Sequence, residues 1–198
     1  MCCTGSFNHE ASLNPRRVLL RDCAAQAWRN GGGVTHELLA WPRGQDWLLR
    51  VSVASIDRSG PFSPFPGVQR WFTVLDGAGV MLDLAAGATP LTVGSEPVHF
   101  EGEQAPVCKL LHGPTRDLNL MSRRDAGLAC MRRLVPGSVI NGATHWRGVY
   151  AAGALTLEIN GDACPLEAGT LLWSDDPAPA TWAALACPGT AWWLTLTP

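Results

Sequence analysis

One pattern occurs twice in the chain. Gly79, Val80, Met81, Leu82, Asp83 and Leu84 lead through a short turn to Pro90, Leu91, Thr92, Val93 and Gly94. Gly153, Ala154, Leu155, Thr156, Leu157, Glu158 and Ile159 then lead to Pro165, Leu166, Glu167, Ala168 and Gly169, with one residue more between the leading Gly and the Pro. Each copy spells strand, tight turn, strand and a glycine-containing turn, so a β-barrel unit of roughly 70 to 80 residues is used twice. Similar short apolar runs recur along the chain, separated by clusters drawn from 21 Gly and 15 Pro. That punctuation predicts an all-β chain with minor helical content, its helices over residues 18–28 and 123–134. The expected organisation is a tail over 1–14, a first barrel over 15–118 and a second over 119–198, with strands exchanged between them.

The remaining composition narrows the function. Hydrophobic residues make up 46% of 198, enough to bury a sizeable core. Charged residues are only 16%, the net charge is −2, and no run of like charges offers a footprint for nucleic acid or an anionic membrane. No apolar stretch approaches the roughly 20 residues of a membrane span, so a cytoplasmic protein is expected. The seven cysteines (positions 2, 3, 23, 108, 130, 164 and 187) include no C-x-x-C pair and suit reduced, packed thiols better than a zinc site.

Several longer motifs stand in order: WRNGGGVTHEL over 28–38, the block from Trp47 to Leu84 that contains GPFSPFPGVQRWFTVLDG, VHFEG over 98–102, and GPTRDLNLMSRR over 113–124. Together they resemble the HutD/Ves family of the cupin superfamily. The resemblance implies a bicupin, two cupin-like barrels in one chain, and an association with bacterial histidine utilisation, where the family is regarded as regulatory and not as one of the catalysts.

Metal-binding cupins supply a His pair, a carboxylate shortly after it, and a last His on a later strand. Anchored on Gly77, this sequence has Ser63 and Phe65 in place of the pair and Arg70 in place of the carboxylate; anchored on Gly102, it has Ala105 in place of the last His. A guanidinium repels a divalent cation and attracts an anion, so no metal and no other cofactor is expected. His99, near Glu101 and Glu103, is the one histidine that would rescue a metal, and an ordinary strand histidine is the plainer alternative.

Period-two alternation over residues 47–54 puts Leu49, Val51 and Val53 on one face and Arg50, Ser52 and Ala54 on the other. In a cupin-like barrel the second face points into the barrel mouth, where Arg50 and Arg70 would converge on a carboxylate. Ser52 and Ser63 would add hydroxyls, Asn30 would sit at the rim near Glu37, and Phe62, Phe65 and Trp71 would form flat walls. Asn30 and the three glycines after it lack the spacing of a phosphate loop and are expected to make a turn. Arg116 and Asp117 are expected to form a structural ion pair. Thr144, His145, Trp146 and Arg147 would make a second site if the second barrel had one.

Three functions stay open at this point. The first is a metal-free binder of a small carboxylate metabolite such as urocanate or an N-substituted glutamate. The second is a metal-independent enzyme using Glu37, Asp76, His36 or Cys108. The third is an interaction module that exposes Trp173, Trp182, Trp192 and Trp193, which otherwise belong to the core or to a homodimer interface.

Overall fold

The computed structural model describes residues 15–141 and 144–198; the expected tail over 1–14 lies outside them. The described residues form nineteen β-strands and four 3-10 turns, with no α-helix among them. In chain order the strands are β1 (Arg16–Leu19), β2 (Ala25–Ala27), β3 (Gly33–Trp41), β4 (Leu49–Ile56), β5 (Gly60–Pro61), β6 (Val68–Gly77), β7 (Val80–Leu84), β8 (Gly87–Leu91), β9 (Val98–Glu101), β10 (Val107–Leu110) and β11 (Thr115–Arg123). There follow β12 (Leu128–Arg133), β13 (Val139–Ile140), β14 (Trp146–Ala151), β15 (Leu155–Ile159), β16 (Asp162–Leu166), β17 (Thr170–Ser174), β18 (Trp182–Ala186) and β19 (Ala191–Thr197).

Two barrels emerge, each from a pair of sheets. The first joins β2-β3-β4-β11-β6-β9 to β5-β10-β7-β8, and the second joins β1-β17-β14-β19-β12 to β13-β18-β15-β16. The series β4 to β11 and the series β12 to β19 are wired alike, strand for strand, so the repeat seen in the sequence is a repeated eight-strand unit. The two hairpins that announced it pair in the same register: Val80 with Leu91 and Met81 with Pro90, Leu155 with Leu166 and Thr156 with Pro165. A division after residue 118 would cut β11, whereas the turn at Arg124–Ala126 leaves both units whole. The chain's first described strand, β1, is an edge strand of the second barrel, paired with β17.

Three apolar clusters hold this together. The largest lies between the barrels, where Leu49, Val51, Val53, Leu118 and Leu120 of the first meet Met131, Trp146, Tyr150, Trp173, Trp192 and Leu194 of the second. Another fills the second barrel around Val149, Leu157, Trp182 and Trp193. The third, around Ile56, Phe72, Val74, Leu82 and Phe100, fills only part of the first barrel. The four C-terminal tryptophans offered as a partner surface are therefore all buried, with exposures from 0% to 5%.

Both expected helices are corrected to strands. Residues 18–28 have helical composition, yet they span the edges of two sheets: β1 docks on β17, β2 on β3, and a 3-10 turn at Leu20–Asp22 carries the chain across. Open sheet edges outweigh a weak local preference. Over 123–134, Gly127 adopts a φ of +119°, and a Cβ there would stand 2.1 Å from the Thr197 carbonyl oxygen. No helix passes that point, and β12 buries alternate residues, Ala129 and Met131, in the sheet's period of two.

Candidate functional site

The unfilled end of the first barrel is a cavity of about 630 Å³. All six residues expected to bind a ligand line it: Asn30, Arg50, Ser52, Ser63, Phe65 and Arg70. Sheet register explains why the two arginines meet. On β4, Leu49, Val51 and Val53 face the second barrel, so Arg50, Ser52 and Ala54 face inward. Met121 of β11 is the neighbour of Arg50 on one side and of Arg70 on the other, which sets the arginines on one rung with their backbones roughly 10 Å apart.

Arg70 is 6% exposed and surrounded by aromatic rings. Its guanidinium carbon lies 4.8 Å from the ring centre of Phe62, 5.2 Å from that of Phe100 and 5.7 Å from that of Phe65. Aromatic faces stabilise the cation without consuming its N–H groups. Nη2 donates to Asn119 Oδ1 at 2.9 Å, and Nε has no partner. Burial pulls its pKa down to about 10, against the attraction of Asp117 and with a smaller contribution from Arg50, so it stays charged at neutral pH.

Arg50 is held differently: its Nε donates to Glu37 Oε2 at 2.7 Å across the β3–β4 pair. Asn30 caps its own turn, its Oδ1 accepting from the Gly32 N–H at 2.9 Å. The glycines after it form the tight end of the β2–β3 hairpin, and a Cβ on Gly33 would stand 2.2 Å from the Ser55 carbonyl oxygen.

Two polar lining residues of β11 were missed, as were Trp28, Arg29 and Thr35 at the β2–β3 hairpin. Asp117 and Asn119 project inward from β11, beside Met121. The signal was present, because Leu118 and Leu120 alternate with them as Leu49 and Val51 alternate with Arg50 and Ser52. The expected Arg116–Asp117 pair is corrected for the same reason: neighbours on a strand face opposite ways, and Arg116 bonds Asp76 at 3.0 Å instead. Asp117 is 1% exposed, and burial pushes its pKa up to about 8, against the Asn119 hydrogen bond and the Arg70 charge.

Other expected positions move as well. Trp71 is no cavity wall: it faces the second barrel, donates Nε1–H to the Ala129 carbonyl at 3.1 Å and packs at a tilt against exposed His99. Ala105, expected at the last metal-ligand position, sits in the bend after Gly102–Gln104, and the polar groups that approach Arg70 from a later strand are Asn119 and Asp117. Among the described residues, no group of three or more His, Cys, Asp or Glu side chains is placed to hold a metal ion. Of the candidate catalytic groups, Cys108 is sealed in the first barrel's core, its thiol pushed up to about 12 by burial. His36 faces the Cys23 carbonyl across a 2.9 Å hydrogen bond, Asp76 is paired with Arg116, and Glu37 with Arg50.

In the second barrel Arg147 is fully buried; its Nε has no partner, but Nη2 donates to the Asp176 and Ala178 carbonyls at 3.1 and 2.9 Å and Nη1 to that of Ala180 at 3.4 Å. Trp146 packs between the barrels and His145 is exposed, so these residues do not gather into a second site.

Two repeated eight-strand barrels in one chain define a bicupin. Salicylate 1,2-dioxygenase from Pseudoaminobacter salicylatoxidans shares the fold at a TM-score of 0.60 and 10% identity, over 92% of this chain and 82% of that one. The chain belongs to the HutD family, whose model matches residues 20–193. HutD from Pseudomonas fluorescens SBW25 superposes at a TM-score of 0.80 with 25% identity, over 93% of this chain and 98% of that one. A conserved protein of unknown function from Pseudomonas aeruginosa PAO1 does so at 0.85 with 25% identity, over 93% and 100%. Protein Ves of Citrobacter koseri is 38% identical over 115 residues, 57% of this chain and 60% of that protein. The match therefore spans about three-fifths of this curated relative's length. Among the described residues no helix is long and apolar enough to cross a membrane.

Proposed function

We propose that the first barrel is a metal-free binding site for a small carboxylate metabolite and that the second barrel is its scaffold. One observation carries this: Arg50 and Arg70 line a single cavity from the same rung of the sheet, and Arg70 keeps Nε without a partner. A carboxylate accepts two parallel N–H bonds from a guanidinium, and in a partly dry cavity those bonds are worth more than in water. Ser52 supplies a hydroxyl beside them, and Phe62 and Phe65 bound a slot for a planar or short aliphatic body. Urocanate and N-substituted glutamates have that chemistry, and the name of the family supports a link to histidine utilisation. A regulatory protein that senses such an acid, not an enzyme that consumes it, is the function this favours. The dispersed Cys108, His36 and Asp76 offer no nucleophile with a base beside it.

Thermal unfolding against a panel of small carboxylic acids tests the proposal, with Arg70→Ala run alongside. A ligand at about 100 times its dissociation constant adds roughly 2.7 kcal/mol, a rise of some 5 to 11 °C for a chain of this size. The wild type should rise with urocanate or an N-substituted glutamate while the variant stays put. A panel that moves neither protein rejects the site.

A further inference from the structure

Arg70, Asn119 and Asp117 form a hydrogen-bonded row whose polarity is fixed at one end. A guanidinium only donates, so the Asn119 atom that meets Arg70 must be its carbonyl oxygen. The Asn119 amide nitrogen therefore points the other way and donates to Asp117 Oδ1 at 2.5 Å. That oxygen is an acceptor by necessity, and any proton on Asp117 must sit on Oδ2. Oδ2 is the one atom of the row's far end without a partner, just as Nε is on Arg70.

We infer that Asp117 meets the bound anion as a neutral carboxylic acid, Oδ2–H donating beside the Arg70 guanidinium, so that the cavity takes up a proton together with a carboxylate. This rests on the reading of the cavity as a carboxylate site. The surroundings of Asp117 agree from every side. Its register neighbours are Ala54 on β4 and Val74 on β6, neither of which carries charge. The charged and titrating groups around it are Arg70 from β6, Arg50 from β4 with Glu37 of β3 bonded beyond it, Arg29 from the β2–β3 turn at the cavity's exposed side, and Cys108 from β10, a thiol that stays neutral to about 12. Asn119 stands between Asp117 and Arg70, so a direct ion pair does not hold the carboxylate ionised, and burial places its pKa at about 8. An ionised Asp117 would repel the ligand; a protonated one adds a donor where a carboxylate has a second oxygen to satisfy.

Calorimetric titration of the full chain with acetate, which carries no second titrating group, decides the matter near pH 6.5 and near pH 9. Each titration is run in two buffers of different ionisation enthalpy. Expected is a dissociation constant about tenfold weaker near pH 9, one unit above the Asp117 value, with close to one proton taken up per complex there and almost none near pH 6.5. Asp117→Asn keeps a donor at the Oδ2 position, so it should bind acetate equally at both pH values and take up no proton. A flat wild-type profile without proton uptake, in a protein whose binding Arg70→Ala still abolishes, overturns the role of Asp117 and leaves the cavity reading intact. Absence of acetate binding at either pH overturns both. Should Asp117→Asn fail to fold, proton uptake by the wild type alone gives the answer.

Discussion

Among the described residues each barrel has one buried arginine, on corresponding strands of the repeated unit: Arg70 on β6 and Arg147 on β14. Arg147 has three backbone carbonyls from the segment Asp176 to Ala180 around its guanidinium, and the space beneath is packed with Val149, Leu157 and Trp182. Arg70 makes a single hydrogen bond and is otherwise held by the faces of three phenylalanines beside an open cavity. Nε is without a partner in both; the same buried cation is a structural tie where three carbonyls take its Nη groups, and a reagent where aromatic rings hold it beside an open cavity.

Substituting both arginines by methionine gives the harshest test of that contrast. Arg147→Met strands the carbonyls of Asp176, Ala178 and Ala180 without a charged donor, a loss of roughly 3 kcal/mol. For a chain of this length that is a fall in melting temperature of about 6 to 12 °C. Arg70→Met strands one side-chain oxygen and trades a desolvated cation for an apolar chain among phenylalanines, so the ligand-free melting temperature should change by less than about 3 °C. Carboxylate binding should show the reverse order, abolished in Arg70→Met and kept in Arg147→Met. Equal thermal losses in the two variants would mean that both arginines are ties and the contrast is false.

Asp117 extends the comparison to pH. Its pKa is raised from 3.8 to about 8 on folding, so between those limits the folded chain holds a proton that the unfolded chain has released. Stability therefore declines with rising pH across that window and levels off above it. The full slope is at most about 1.4 kcal/mol per pH unit. A third of it would leave Asp117→Asn roughly 2 kcal/mol more stable than the wild type at pH 8 and without advantage near pH 4. Melting curves of the ligand-free proteins at those two pH values measure this. An advantage that does not depend on pH would show that Asp117 is not the titrating group.

How much of this was legible in the sequence depends on whether a residue's environment is local. Alternation on β4 placed Arg50 and Ser52 correctly, since a strand's two faces are set by parity alone, and the repeated Pro-Leu turn gave the doubled barrel. The same parity on β11 places Asp117 and Asn119 inside, yet the adjacency of Arg116 and Asp117 in sequence hid it by offering an ion pair that strand geometry forbids. β1 and β2 were illegible because the sheet edges that recruit them, β17 and β3, lie in different barrels. Trp71 was misplaced because an aromatic next to a cavity-facing arginine in sequence must face away from that cavity in a strand. That the Nη groups of Arg147 are spent depends on a segment some thirty residues downstream, and nothing near Arg147 in the sequence announces it.

Arg50 lies between the two extremes, and it offers the finest test. Its Nε is bonded to Glu37, but the pair is only partly buried, at 18% and 33% side-chain exposure, so solvent screens much of the attraction. An exposed or half-exposed pair of this kind is worth about 0.2 to 1 kcal/mol. If Glu37 chiefly offsets charge that a ligand would otherwise feel, Glu37→Gln keeps an acceptor for Nε, releases the cation, and should tighten acetate by about 1.4- to 5-fold, with a fall in melting temperature of no more than about 4 °C. If Glu37 chiefly aims the guanidinium at the ligand, the same variant should weaken binding; unchanged binding would instead place Arg50 with Arg147, as an arginine whose hydrogen bonds are already committed. In that case Arg70 alone would carry the carboxylate, and the difference between the barrels would narrow to one aromatic cage.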